Sequence, residues 1–265
     1  MRIDVGDGLA LAAMSPQRFR ATAPVAIAEQ ARKSLLAMFL LMGMVSMGWV
    51  PRIPEIKDAI GLSNGQFGFI LLASTFGSVS GAQIGGRAIH TFGSRRVTQV
   101  AISIMPLGLA GMGLANSAPM LVLSLFVMGF GYSLMDICLN SQGFIVERIV
   151  KKRCMSMLHA MWSVGAFLTT IIGGSIARFV SSEVNLVAIA IFAGIAFIPA
   201  AFFLLPADLD DHDGGEEETS AKIPLFGKSV LPLWGLGIGL LGSMIAEGAA
   251  SDWAGILLRD DMGYD

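Results

Sequence analysis

The sequence predicts an all-α, polytopic membrane protein, and three observations predict it. Hydrophobic residues make up 54% of the 265 positions before the 32 glycines are counted, and charged residues only 14%, against about 25% in soluble domains. The apolar residues gather into seven runs long enough for a bilayer core of roughly 30 Å, which takes about 20 residues of helix. Lysine and arginine then fall mostly on alternate breaks between the runs. The same composition excludes other classes. A net charge of -2 leaves no cationic excess for a phosphate backbone, so no nucleic-acid partner is expected. The bilayer itself is the expected surrounding.

Residues 1–32 carry a short apolar stretch at 8–14, followed by Arg18 and Arg20. That order is the reverse of a secretory signal, and the segment reads as a loose cytoplasmic tail. The first span, 34–53, is rich in methionine (Met38, Met42, Met44, Met47), which is adaptable core material before it is a metal site. The second, 66–89, opens on Ser63 and Gln66, the spacing of a capping box. Its Gly77, Gly81 and Gly85 repeat every four residues, which lets helices approach closely. Spans at 97–115, 119–146, 155–177 and 184–205 follow, and together residues 33–206 form a six-helix bundle. Residues 207–229 hold Asp208, Asp210, Asp211, Asp213 and the run Glu216, Glu217, Glu218; such a stretch buries no apolar area and reads as a mobile acidic linker. A seventh span, 230–258, repeats the four-residue spacing at Gly235 and Gly239. Alone after a linker, segment 230–265 reads as the first helix of a second bundle whose remaining helices are missing, so the chain reads as part of a longer protein.

Orientation follows from the cations. With the amino terminus in the cytoplasm, fourteen of the 18 lie inside, and only Arg52, Lys57, Arg178 and Arg259 lie outside, as cationic loops require. Cys138 and Cys154 stand too far apart along one helix for a disulfide, which needs Cα atoms within about 7 Å. No Cys/His spacing suggests zinc. A nucleotide loop G-x-x-x-x-G-K-[ST] is absent, since Gly227-Lys228-Ser229 lacks its leading glycine. Neither metal nor cofactor is expected.

Six helices, a polar linker and a further helix resemble the major facilitator superfamily, and so does the break between the second and third spans. The family signature there is G-x-x-x-D-[RK]-x-G-[RK]-[RK]. Residues 86–95 read GRAIHTFGSR with Arg96 next, so Gly86, Gly93 and Arg95 match, while His90 replaces the Asp and Thr91 and Ser94 replace cations. The strings Trp49-Val-Pro-Arg52-Ile-Pro54, Asp136-Ile-Cys-Leu-Asn140, His159-Ala-Met-Trp162-Ser163-Val-Gly165 and Glu247-Gly-Ala-Ala-Ser-Asp252-Trp253 are similar to a bacterial inner-membrane branch near the proton-coupled fucose permeases. The resemblance covers about residue 33 to the end. It implies a twelve-helix transporter that works by alternating access, with a small polar solute such as a sugar and protons as partners.

Charged groups inside the bilayer are costly, about 2.5 to 3.5 kcal/mol for Asp at a helix centre, so each needs a reason. Asp136 shares a helix face with Gly129, Ser133, Asn140, Gly143 and Glu147, a polar stripe that a lipid-surrounded helix would not keep. A carboxyl in a low-dielectric cavity can take up and release a proton near neutrality, which suits proton coupling. The resemblance implies the same, since fucose permeases place an acid at this position of the fourth span; their second acid, in the first span, has no counterpart here. The plainer reading is an Asp hydrogen-bonded between helices. Glu247, flanked by Ser243 and Ser251, is the second coupling candidate, or else a buried partner for an absent helix.

Asn140 and His159 are candidate solute donors; a cross-helix amide and an interfacial histidine are the alternatives. Trp49 and Trp162 would offer apolar platforms to a sugar ring. For Trp49 and Arg52 the alternatives are the aromatic belt and snorkelling to headgroups. Asp252 reads as a capping or interfacial group. Arg95, Arg96, Glu147 and Arg148, with Gly86, His90 and Gly93, are candidates for a cytoplasmic gate of ion pairs that form in one conformation and break in another; for the arginines a positive-inside anchor is the alternative. Rival functions are a proton-driven drug or metabolite exporter and, from another class, a membrane enzyme, which the scatter of the charged groups over depths and helices disfavours.

Overall fold

The computed structural model describes residues 16–210 and 230–263. The acidic run at 211–229, and with it most of the expected mobile linker, lies outside the described residues. Helix α1 spans Pro16–Met47. A 3-10 turn, Val50–Arg52, leads into short α2, Ile53–Ile60, which Gly61 closes at φ 76°. Then come α3 (Asn64–Phe92), α4 (Ser94–Gly113), α5 (Ala118–Val150), α6 (Met155–Ile176) and α7 (Ser182–Phe202). After the undescribed stretch, α8 covers Leu231–Ile256 and runs into a π turn, Leu257–Asp261. Among the described residues the structure is helical throughout.

Two boundaries differ from expectation. Residues 16–32, read as a loose tail, are helical and continuous with the first span, and Ala28 and Ala31 are fully buried. Alanine, glutamate and glutamine there are good helix formers, so the helix runs on past the bilayer core. The first span also ends early, at Met47: Pro51 and Pro54 lack the amides that would continue it, and the chain turns into α2. Elsewhere the ends agree within a few residues. At Ser63 the capping box is present, with the hydroxyl accepting from the Gln66 amide at 3.3 Å and the Gln66 side chain accepting from the Ser63 amide at 2.9 Å.

Six segments are long and apolar enough to cross a membrane, with α1 and α2 taken together as one. Helix α4 is not among them, because Arg95, Arg96 and Gln99 occupy its first turns. It still has its place in the bundle, packed on α5 and α7. The main helix pairs are α3 with α5, α4 with α5, α1 with α6 and α4 with α7. Glycines set their spacing. A methyl at Gly77 or Gly81 would overlap the carbonyls of Phe126 or Phe130, and one at Gly165 the carbonyl of Leu40, so α3–α5 and α1–α6 meet at backbone contact distance. At Gly235 and Gly239 no described residue would lie within 4 Å of such a methyl. Outward-facing side chains such as Phe69, Phe76, Leu107, Phe167 and Ile195 are exposed, as a surface against lipid requires.

Candidate functional site

A cavity of about 390 Å³ lies where α1, α3, α5, α6 and α8 converge, lined by Ser46, Trp49, Ser74, Ser78, Tyr132, Trp162, Glu247 and Ser251 among others. Close backbone contact builds it. Gly129 of α5 meets the Ser74 carbonyl, and Ser78 donates to the Gly129 carbonyl at 3.2 Å, which brings two α3 hydroxyl-bearing turns to the cavity. Its chemistry is mixed: three aromatic rings, four serine hydroxyls and one carboxylate, Glu247. The indole Nε1 of Trp162 is shielded from solvent and has no acceptor among the described residues. Buried donors are usually satisfied.

Asp136 stands one turn along α5 from Tyr132. Its Oδ1 accepts from Asn140 Nδ2 at 2.9 Å, and the same amide reaches the Asp136 carbonyl at 2.8 Å. Asn140, expected to offer its amide to a solute, is thereby engaged with Asp136 on its own helix. The ring of His159 packs edge-on against Phe39 with centroids 5.2 Å apart. Tyr132 lines the cavity together with Glu247, whereas Asp136 is not part of that lining.

Contacts between the bundle and α8 close the α2 end of the cavity. Trp49 packs on Phe67 with centroids 6.4 Å apart, and Phe67 on Trp253 at 5.8 Å. Beyond this aromatic row, Arg259 pairs with Asp58 at 2.7 Å and Lys57 with Asp260 at 3.6 Å. Arg52 does not reach headgroups as the snorkelling alternative would have it. It is fully buried, paired with Glu55 at 2.7 Å and donating to the Val180 carbonyl. Glu55 in turn accepts from the Ser182 amide at 2.8 Å. The turn after α1 is therefore tied to the start of α7. Trp49 is buried too, at 7% exposure, facing the cavity rather than forming a belt.

At the opposite end, Gly93 joins α3 to α4 at φ 79° and ψ 150°, a conformation that is essentially glycine's alone. Asp210 Oδ2 accepts from the Ser94 amide at 2.7 Å and its hydroxyl at 2.8 Å. Gln142 donates to Ser94 Oγ at 2.8 Å and to the Leu205 carbonyl at 3.3 Å, and accepts from the Leu205 amide at 2.9 Å. Arg95 donates to the Phe202 carbonyl at 2.6 Å. Glu147 accepts from the amides of Cys154 (2.5 Å) and Met155 (2.8 Å) and so caps α6. The expected gate of ion pairs among Arg95, Arg96, Glu147 and Arg148 is not what this conformation holds: the partners of Arg95 and Glu147 are backbone groups, and Arg96 and Arg148 are exposed. Gly86 and His90 lie on the last turns of α3, with His90 exposed.

Sequence reasoning did not single out Tyr132, Ser46, Ser74 or Ser78. The last two sit four residues apart beside the glycine stripe, a spacing that marks one face. Ser94, Gln142 and Asp210 were missed as a group, because nothing local connects positions so far apart in the chain.

Comparison with known proteins decides the family. Residues 35–265 match the family described as Major Facilitator Superfamily. The chain belongs to that family. Relatives include the uncharacterized transporter y4wD of Sinorhizobium fredii, 30% identical over 88% of this chain and 60% of its own length. An uncharacterized MFS-type transporter of Yersinia pestis is 28% identical over 83% of the chain and 55% of its own. Membrane protein MosC of Rhizobium meliloti is 26% identical, covering 83% and 52%. The chain thus spans between half and three fifths of the length of the relatives it matches. It is a multi-pass membrane protein of a transporter family and not an enzyme.

Proposed function

We propose that this major facilitator chain carries the solute cavity of a proton-coupled symporter for a small polar solute such as a sugar, working in a bacterial inner membrane with its amino terminus in the cytoplasm. The observation that carries the reading is the cavity itself. It pairs aromatic rings, which suit the apolar face of a ring, with serine hydroxyls and a carboxylate, which suit its hydroxyl edge. Glu247 and, one turn from Tyr132, Asp136 supply the two coupling carboxylates. The protein that transports is one of the length of the relatives, in which this chain holds the first bundle and α8 begins the second.

Access alternates by separation of the bundles. In the state described here the α2 end, outer under the proposed orientation, is shut by the Trp49–Phe67–Trp253 row and the Asp58–Arg259 and Lys57–Asp260 pairs. Opening it breaks those contacts while the first bundle stays intact. A proton on Asp136 or Glu247 removes a charge from the low-dielectric interior, and the membrane potential adds about 2.3 kcal/mol per charge per 100 mV to drive accumulation.

Proteoliposomes of the full-length parent with an imposed pH gradient, and L-fucose as first probe among neutral hexoses and polyols, test this. Acid outside drives inward accumulation, and Asp136→Asn abolishes it while membrane insertion is unchanged. Accumulation that persists undiminished in the variant removes the coupling role. Efflux driven by outside acid makes the protein an exporter instead.

A further inference from the structure

A second concavity lies on the far side of the bundle. Helices α4 and α7 contribute nothing to the cavity walls; between them runs a groove of about 500 Å³ lined by Gln99, Ile102, Pro106, Leu107, Ile191 and Gly194 among others. Leu107, Ile191 and Ile198 along it are exposed, so it opens toward the bilayer. Between the two helices a methyl on Gly194 would stand 4.0 Å from Pro106. Gln99 also lines a pocket of about 290 Å³ with Arg95, Arg96, Phe92 and Phe202, at the first turn of α4.

Because the groove and this pocket adjoin at Gln99, we propose that the α4–α7 flank binds one anionic phospholipid, its acyl chain in the groove and its phosphate against Arg95 and Arg96. Length supports it. The stretch from Gln99 to Ala110 rises about 16 Å in helix, roughly half of a 30 Å core and so one leaflet deep. Charge supports it as well. Arg96 is exposed, and among the described residues Arg95 donates through one nitrogen, to the Phe202 carbonyl, which leaves its other donors for a headgroup; basic pockets between helices on the cytoplasmic side suit such lipids. The amide at the start of α4 takes no part, because Asp210 already occupies it. Among the described residues Asp210 is the one carboxylate lining the head pocket, and its Oδ2 is engaged by Ser94. Under the proposed orientation the leaflet is the cytoplasmic one; the preference for an anionic head does not depend on that, nor on the solute reading.

Native mass spectrometry of the full chain tests the site, with phosphatidylglycerol and phosphatidylcholine of identical chains added in equal amounts. The wild type retains phosphatidylglycerol over phosphatidylcholine by about tenfold or more. Arg95→Gln with Arg96→Gln brings the ratio to about one, whereas Arg95→Lys with Arg96→Lys keeps it, which separates charge from misfolding. Gly194→Phe fills the groove and removes adducts of both lipids. Excess inorganic phosphate leaves the phosphatidylglycerol adduct in place. A wild-type ratio near one, a ratio unmoved by the glutamine pair, adducts that survive Gly194→Phe, or displacement by phosphate, which would mark a free-anion site, each overturns the proposal.

Discussion

The two ends of the bundle use polar residues in opposite ways. Where α3 turns into α4, Ser94 and Gln142 are fully buried and Asp210 is 6% exposed, and their hydrogen bonds join α4, α5 and the segment after α7. All of these belong to one bundle. At the α2 end, Asp58 and Arg259 are largely or partly exposed, and their pair joins α2 to the turn that follows α8. Losing one partner of a buried hydrogen bond costs about 1–3 kcal/mol because the other is left without water; an exposed ion pair is worth about 0–1 kcal/mol. Under the alternating access proposed above, the first kind of contact holds the six helices together and the exposed Asp58–Arg259 pair is of the kind that can break when α8 moves away. Arg52 fits this division: it is buried, and its partners Glu55 and Val180 lie within the first bundle.

The largest expected effect follows at the buried end. Gln142→Leu strips the Leu205 amide, the Leu205 carbonyl and the Ser94 hydroxyl of a shared partner. It should cost about 3 kcal/mol, lowering Tm in detergent by roughly 5–10 °C. A Tm within a degree of wild type would show that water enters this end and that it is no more rigid than the other. A smaller loss is expected from Gly93→Ala. At φ 79° and ψ 150° a Cβ is strained by about 1–3 kcal/mol, although 3.4 Å from Asp210 Oδ2 leaves it room. Strain, not crowding, is then the cause, so Gly93→Ser should lose about as much as Gly93→Ala; a graded loss with side-chain size points to crowding instead.

Much of this architecture was legible from the sequence, because each bilayer crossing must satisfy its backbone within one segment and so writes a long apolar run into the chain. The capping box at Ser63 and the close-packing glycines of α3 were equally local, and both stand in the structure. The cavity was legible in part. Trp49, Trp162 and Glu247 line it, but Asn140 is engaged by Asp136 and His159 rests on Phe39. Which way a side chain turns depends on neighbours four residues away and on other helices, and periodicity alone does not fix the rotamer. Arg52 shows the limit most plainly: an arginine at a span end is expected to seek headgroups, and its burial follows from the Val180 carbonyl, 128 residues along the chain. Asp210 is similar, since composition assigned it to a mobile stretch and Ser94 holds it.

The smallest effect on stability, and the sharpest test of the contrast between the ends, is expected from Asp58→Asn. Asp58 meets Arg259 through both oxygens, at 2.7 and 3.1 Å, yet more than half of its side chain faces solvent, so Tm should move by no more than about 1–2 °C. What should move is the fraction of molecules closed at this end. Pro54 and Gly255 adjoin there, with a Cβ on Gly255 lying 3.3 Å from the Pro54 ring, so Pro54→Cys with Gly255→Cys places two thiols within bridging range of a short cross-linker. In that background Asp58→Asn should slow cross-linking about two- to fivefold, the size of shift that an exposed pair can produce. A Tm loss as large as that of Gln142→Leu with cross-linking unchanged would mean that α2 and α8 are held as permanently as the buried end, and the division between fixed and separable contacts would fail.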